Sequence, residues 1–311
     1  MKWIKRFIIS AFIISLGVGV YEAYQMQQKR DITGPKLICE NEKISASIEA
    51  GNEELMKGIK AIDEQDGDVT DSLLIESIEK NPSGAANEFM ISYAAFDHSN
   101  NIGAVTRKLH YTDYHSPRFS ISSPLRFSKN EDITLVQYVK ADDCLDGDIS
   151  PFIKIDGEDK FDEDPKEGIY DCTLQVTNSV GDTASLPVKV EIYDDSYEER
   201  NFVPKIMLKQ YVLYLSKGDA FEPTDYLDYV YDQMTLSIDY GPMVSIKENG
   251  KKREVTEAEA KEKSGKWINI SRIKYSSDVD TEKKGNYSVV YTYTTDSREY
   301  TCNAELLVVV E

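Results

Sequence analysis

Apolar and polar residues alternate with period two near the end of three successive stretches of this chain. In the second stretch Tyr170, Cys172, Leu174 and Val176 run outward, NSVGD at 178–182 turns the chain, and Ala184, Leu186, Val188, Val190 and Ile192 run back. Period two puts these side chains on one face of a strand, so the segment predicts a β-hairpin. The first stretch repeats the plan: Phe89, Ile91, Tyr93 and Ala95 alternate with polar or small residues, DHSNNIG at 97–103 breaks the pattern, and Val105, Arg107 and Leu109 then alternate with Ala104, Thr106 and Lys108. The third stretch, 280–311, ends in the same manner.

Ahead of the first two hairpins stands a shared turn. AIDEQDGDVT at 61–70 returns 80 residues later as ADDCLDGDIS at 141–150. Asp-Gly in a polar run between apolar residues predicts a tight turn between strands, because glycine accepts positive φ without a Cβ clash. Each stretch also opens on a proline, and Pro35, Pro117 and Pro204 are spaced 82 and 87 residues apart. That period is the size of one small β-sandwich. The expected domains are 31–114, 115–195 and 202–311, with DDSYEERN at 194–201 as a charged linker. The third unit lacks Asp-Gly-Asp and carries a polar insertion at 241–267, in which Thr256 and Glu259 form a capping-box pattern predicting a short helix through Lys263.

Residues 1–30 follow a different rule. Lys2, Lys5 and Arg6 precede an uncharged run from Phe7 to Tyr21. With Trp3, Ile4, Ala23 and Tyr24 the run approaches the ~20 residues of a transmembrane helix, and Trp3, Tyr21 and Tyr24 suit the interfaces. The end of the run, VYEAYQMQQKR, has no small-residue cleavage site, which favours an uncleaved signal anchor over a cleaved signal peptide or a buried soluble helix. The positive-inside rule then puts residues 1–6 in the cytoplasm and the repeats outside the cell membrane.

The net charge of the chain is −19 although its first thirty residues are basic, so the repeats are more acidic still. Such a surface repels phosphate backbones, which disfavours nucleic acid as a partner and attracts divalent cations. Twenty tyrosines and ten phenylalanines are a strand-forming composition. Cys39, Cys144, Cys172 and Cys302 show no zinc-ligand spacing.

The leading proline, the central Asp-Gly-Asp followed by Val-Thr or Ile-Ser, and the closing run of Asp280, Thr281, Gly285, Tyr287, Val289, Tyr291 and Asp296 together resemble the tandem bacterial immunoglobulin-like domains of Gram-positive surface proteins, which are related in pattern to hyalin repeats. The resemblance covers most of 31–311. The first unit departs from it with Asn87-Glu88-Phe89 where the others have Gly-x-Tyr, and the third by lacking the central turn. It implies an all-β fold, three tandem immunoglobulin-like β-sandwiches after an N-terminal transmembrane helix, serving as a non-catalytic stalk or adhesive module on the cell surface.

Three groups of residues carry candidate chemistry. Asp63, Asp66 and Asp68, and again Asp142, Asp143, Asp146 and Asp148, collect hard oxygen donors in short loops, a candidate for calcium, although the EF-hand spacing is absent. The alternative is that they are solvated carboxylates shaping a turn. Cys144 and Cys172 are a candidate disulfide, while Cys172 on the apolar face also suits a buried thiol. Tyr226, Tyr229 and Tyr231, with Trp267, are a candidate binding platform for a glycan or a protein, or else core. Catalytic residues are not expected: Asp97-His98-Ser99 is a loop tripeptide, and no phosphate loop, HExxH or nucleophile elbow occurs.

Overall fold

The structure is a computed structural model of the chain and describes residues 2–28, 31–85, 87–161, 165–231, 244–248, 251–255, 273–295 and 300–311. It is mostly β behind one long helix, Lys2–Gln28. Within that helix Trp3–Glu22 is long and apolar enough to cross a membrane, and none of that window is buried. The β part divides into two compact units, one ending at Tyr114 and the other running from His115 to Glu311.

The first unit pairs a three-stranded sheet with a four-stranded one. In the small sheet Lys36–Cys39 lies antiparallel to Ile59–Asp63, which pairs in turn with the two-residue strand Gly67–Asp68. In the large sheet the hairpin Glu88–Phe96 and Ile102–Tyr111 forms the centre, flanked by Leu74–Lys80. The remaining edge is Lys43–Ala46, which runs parallel to Ile102–Tyr111.

The second unit builds the same scheme twice. Arg118–Ile121, Val139–Asp143 and Gly147–Asp148 form one small sheet. Its large sheet has the hairpin Gly168–Thr177 and Thr183–Tyr193, with Arg126–Ser128 parallel to the latter. In the third repeat Lys205–Leu208 pairs with Leu227–Tyr231, and Val212–Leu215 runs parallel to Thr301–Val310 beside Gly285–Thr294. Where Asp-Gly-Asp is missing, the small sheet has two strands among the described residues. Part of the insertion is an antiparallel hairpin, Val244–Glu248 with Lys251–Val255. The helix expected from Thr256 to Lys263 lies outside the described residues.

Alternation translates directly into burial. Ile91 and Tyr93, Leu174 and Val176, and Val289 and Tyr291 are almost wholly buried on the inner faces of their hairpins. The closing Gly-x-Tyr motif has a local role: Tyr170 donates from its hydroxyl to the Lys166 carbonyl (2.7 Å), and Tyr287 does the same to Lys283 (3.0 Å). Each phenol ties the start of its strand to the loop four residues earlier. Phe89, at the matching position of the first repeat, has no hydroxyl and packs edge-on against Tyr111 and Tyr114 instead.

The buried side chains of the second and third repeats form one contiguous apolar cluster from Phe119 to Val310. The segment between them is more than a charged linker. It folds as the short helix Tyr197–Phe202, capped by Ser196, whose hydroxyl oxygen accepts from the Glu199 amide. Arg126 pins that helix by an ion pair to Glu199 and also pairs with Glu191 (3.0 Å) on the strand Thr183–Tyr193, with its guanidinium 4.2 Å from the centre of the Tyr193 ring. Burial would lower the Arg126 pKa, but these two carboxylates outweigh it and hold the pKa above its ordinary value.

Candidate functional site

The Asp-Gly-Asp turns are built identically in the first two repeats. Asp63 Oδ1 accepts from the amides of Gln65 (2.8 Å) and Asp66 (2.9 Å). Asp143 Oδ1 accepts from those of Leu145 (2.9 Å) and Asp146 (3.1 Å). Gly67 and Gly147 have φ of 77° and 71°, the left-handed region the turn requires. Asp68 Oδ1 then accepts from the Thr70 amide, and Asp148 Oδ1 from the Ser150 amide, each at 3.0 Å.

Those last bonds decide what Asp68 and Asp148 do. They close the turn on the exposed side. Hydrogen bonds from the side chain and then the backbone of Thr70 hold the Asp68 carboxyl below its ordinary pKa, and Ser150 does the same for Asp148. A carboxyl with a depressed folded pKa adds stability that is fully present above its unfolded pKa, about 3.9, and is lost as pH falls through the folded value. Melting temperature should therefore fall below about pH 4, and Asp68→Asn with Asp148→Asn should flatten that fall.

The other acids of the first turn have different neighbours. Asp31, Asp63, Asp66 and Asp97 each present one carboxylate oxygen, and these four oxygens lie within 4.8 Å of one another. Among the described residues this is the one cluster of its kind. Asp31, Asp63 and Asp97 are buried. Asp97 sits in the hairpin loop, where its Oδ1 accepts from the Ser99 and Asn101 amides (2.8 Å each) and its Oδ2 from Asn101 Nδ2 (2.6 Å). Burial raises the Asp97 pKa, but the Asn101 and Ser99 hydrogen bonds prevail and leave it below the ordinary value. Asp66 accepts from the His98 amide (2.8 Å), and His98 Nδ1 lies 3.2 Å from the same carboxylate. Asp31 Oδ1 accepts from the amide and hydroxyl of Thr33, while its buried Oδ2 meets no partner.

Two glycines let the leading segment approach this closely. A Cβ on Gly103 would lie 1.7 Å from the Pro35 carbonyl oxygen, and one on Gly34 would lie 2.2 Å from that of Ile102. Only glycines allow the backbone of Asp31 to Pro35 to rest against the hairpin.

The second repeat keeps the frame and exchanges the chemistry. Its loop 178–182 has the same backbone bonds as 97–101, Asn178 taking the place of Asp97 and Asp182 that of Asn101. Asn178 Nδ2 donates to Asp143 Oδ2 (3.1 Å), and Ser179 donates to Asp146 from its amide (2.6 Å) and its hydroxyl (2.7 Å). Asp182 accepts instead from the Ser116 hydroxyl (2.7 Å), and Asp142 points outward and is exposed. Of the seven aspartates named in the sequence, Asp63 and Asp66 converge, Asp68 and Asp148 close turns, Asp143 and Asp146 are covered by donors, and Asp142 faces away. Sequence reasoning missed Asp31 and Asp97. The signal that could have found Asp97 is the Asp-to-Asn exchange between the two aligned hairpin loops.

The cysteines are all thiols. Cys144 Sγ donates to the His115 carbonyl (3.2 Å) beside the turn. Cys172 lies mid-strand in the core, and burial pushes its thiol pKa up. The candidate bridge between them is not formed, and Cys172 is the buried thiol that its place on the apolar face also suited. Cys144 stands beside a turn that contacts Ser179 in the loop beyond the strand, whereas Cys172 lies in the middle of that strand.

Of the aromatic platform, Tyr226 is half-buried and stacked on Phe221 at 5.5 Å, and burial raises its pKa. Tyr229 and Tyr231 are strand residues opposite Met207 and Lys205, and Trp267 lies outside the described residues.

The site is thus a pair of loops at one end of a repeated β-sandwich, acidic in one copy and neutralised in the next. No family model matches the chain. One relative, an uncharacterized 81.3 kDa protein of Acholeplasma phage L2, is 28% identical over 119 residues, covering 37% of this chain and 16% of that protein, so the chain spans a small part of its length. Among solved structures, a carbohydrate-binding module with INT domains from Clostridium perfringens ZmpB, in complex with GlcNAc, matches 49% of this chain and 26% of its own at 16% identity and TM-score 0.20. The lipoprotein BT2262 from Bacteroides thetaiotaomicron matches 61% and 98% at 11% identity and TM-score 0.23. Human CDH23 EC21-23 matches 89% and 100% at 12% identity and TM-score 0.20.

Proposed function

We propose that this chain is a single-pass membrane protein that displays tandem immunoglobulin-like β-sandwiches outside the cell as a non-catalytic stalk of adhesive type. The observation that carries the reading is the helix Lys2–Gln28: its apolar window is wholly exposed and stands directly ahead of a β-unit built three times. Side chains such as Phe7, Phe12 and Ile14 find no protein surface to cover them, and a hydrocarbon layer supplies one. At 1.5 Å per residue the helix is about 40 Å long, enough for a bilayer core of ~30 Å. The fused core of the second and third repeats suits a stalk, since it resists bending between them.

The test is extraction of membranes from cells making the full chain. It should stay with the membrane under alkaline carbonate, and Ile13→Arg with Ile14→Arg should release it, since each arginine costs about 3 kcal/mol at the centre of a span. A mature chain whose first residue lies beyond Tyr24 would replace the anchor with a cleaved signal.

A second reading is favoured by the hairpin Val244–Glu248 with Lys251–Val255, which has no counterpart among the described residues of the first two repeats. In this reading the third repeat recognises a glycan or a protein. Deleting 241–267 from the full chain should abolish capture on a glycan array or by a surface-protein partner, whereas a spacer would bind nothing before or after the deletion.

A further inference from the structure

We propose that the first repeat holds one calcium ion between Asp31, Asp63, Asp66 and Asp97, and that the second repeat has lost this site. Four carboxylates that approach within 4.8 Å of one another repel, and three of them are buried, where water screens poorly. A cation of charge two answers that repulsion. Calcium takes six to eight hard oxygens at about 2.4 Å, so two of its ligands can stand up to about 4.8 Å apart, and its irregular shell tolerates donors drawn from three separate segments.

The independent pointer is Asp31. It is 8% exposed, one of its oxygens is fully used by Thr33, and the other is buried without any hydrogen-bond partner. A buried carboxylate oxygen left so costs free energy unless something positive meets it. It belongs to the residue that completes the four-oxygen cluster.

The second repeat shows what the frame looks like when no cation is required. There the amide of Asn178 stands where Asp97 stands in the first, and it donates to Asp143, the counterpart of Asp63. Ser179 donates to Asp146 much as His98 meets its counterpart Asp66 in the first repeat, so that contact is common to both and the difference lies in Asn178. The acid of the loop has moved to its far end, as Asp182, where Ser116 meets it. One Asp/Asn exchange across a conserved turn thus converts a cluster of acids into a self-satisfied hydrogen-bond network. The cation would tie the leading segment, the Asp-Gly-Asp turn and the hairpin loop together, three residues beyond the end of the apolar helix in sequence.

The test uses the full chain in detergent, stripped with chelator and titrated with calcium chloride in a calorimeter. One calcium per chain is expected, with Kd in roughly the 10⁻⁴ to 10⁻³ M range of extracellular modules. Calcium at about a hundredfold over Kd should raise the melting transition of the first repeat by about 10 °C. Asp97→Asn imports the residue that the second repeat already accommodates, so it should fold normally while weakening binding at least about tenfold, a loss of 1.4 kcal/mol. Asp31→Asn should act likewise, and Asp146→Asn should leave binding unchanged. Absence of calcium binding, a second ion of equal affinity lost with Asp146→Asn, or binding that survives both Asp97→Asn and Asp31→Asn would overturn the proposal, and an equal response to magnesium would overturn the choice of calcium.

Discussion

Replacing Arg107 by alanine is expected to destabilise the first repeat by about 3 kcal/mol, as the loss of charge-assisted hydrogen bonds from a buried site. Arg107 is 4% exposed on the inner face of Ile102–Tyr111. Its Nε donates to the Tyr93 hydroxyl (2.9 Å), one terminal nitrogen to the Lys57 carbonyl (3.1 Å), and the other to that of Leu55. Tyr93 donates to the same Leu55 carbonyl (2.6 Å), and the guanidinium lies 5.1 Å from the centre of the Tyr93 ring. The arginine thereby joins the large sheet to the turn that follows the short helix Asn52–Leu55. Lysine cannot reach three acceptors with a planar fork, so Arg107→Lys should recover only part of the loss. Tyr93→Phe should cost about 2 kcal/mol by leaving the Nε hydrogen buried without an acceptor. Denaturant unfolding of the three variants and the double mutant would measure the coupling, and additive losses would show that the two side chains act separately.

Tyr214→Ala is expected to cost about 3 kcal/mol and to split one unfolding transition of the second and third repeats into two. The Tyr214 hydroxyl accepts from the Phe119 amide (2.7 Å), at the start of the second repeat. The Arg118 guanidinium lies 5.2 Å from the centre of its ring and pairs with Glu311 (2.6 Å) at the end of the third. Removing the ring leaves a backbone N–H without its acceptor and a gap where two cores meet. Burial pushes the phenol pKa from 10.0 up to about 12. A raised folded pKa means that its contribution is full below the unfolded value and is lost as pH rises. The two repeats should therefore separate more readily above about pH 10, and Tyr214→Phe should remove that alkaline component while keeping most of the packing. Calorimetry of the full chain at neutral and alkaline pH reads both effects, and a single transition surviving in Tyr214→Ala would show that the shared apolar cluster alone couples the repeats.

Much of the fold was legible because its causes are local. Period two identified the hairpins and their inner faces, and the structure buries Leu174, Val176, Leu186 and Val190 as that pattern requires. Asp-Gly-Asp marked a turn whose hydrogen bonds and positive φ depend on a few adjacent residues. The alternation even set Arg107 on the core side with Leu109. Its acceptors, about fifty residues earlier, had no trace in the pattern. The candidate disulfide is absent for a related reason: spacing along the chain does not say that Cys144 stands beside a turn while Cys172 lies mid-strand, and both are thiols.

By itself, then, the sequence determined the repeat, the strands, the turns and the apolar helix, since each follows from side-chain periodicity or from the φ preferences of a short segment. Only the tertiary structure decided which acids meet. Asp31, Asp63 and Asp97 are separated by more than thirty residues at each step and converge because Gly34 and Gly103 let two backbones touch. It also decided that the second and third repeats share one core and that the short strand of each large sheet runs parallel to the last, because convergence, register and domain contact are set by packing across the whole chain.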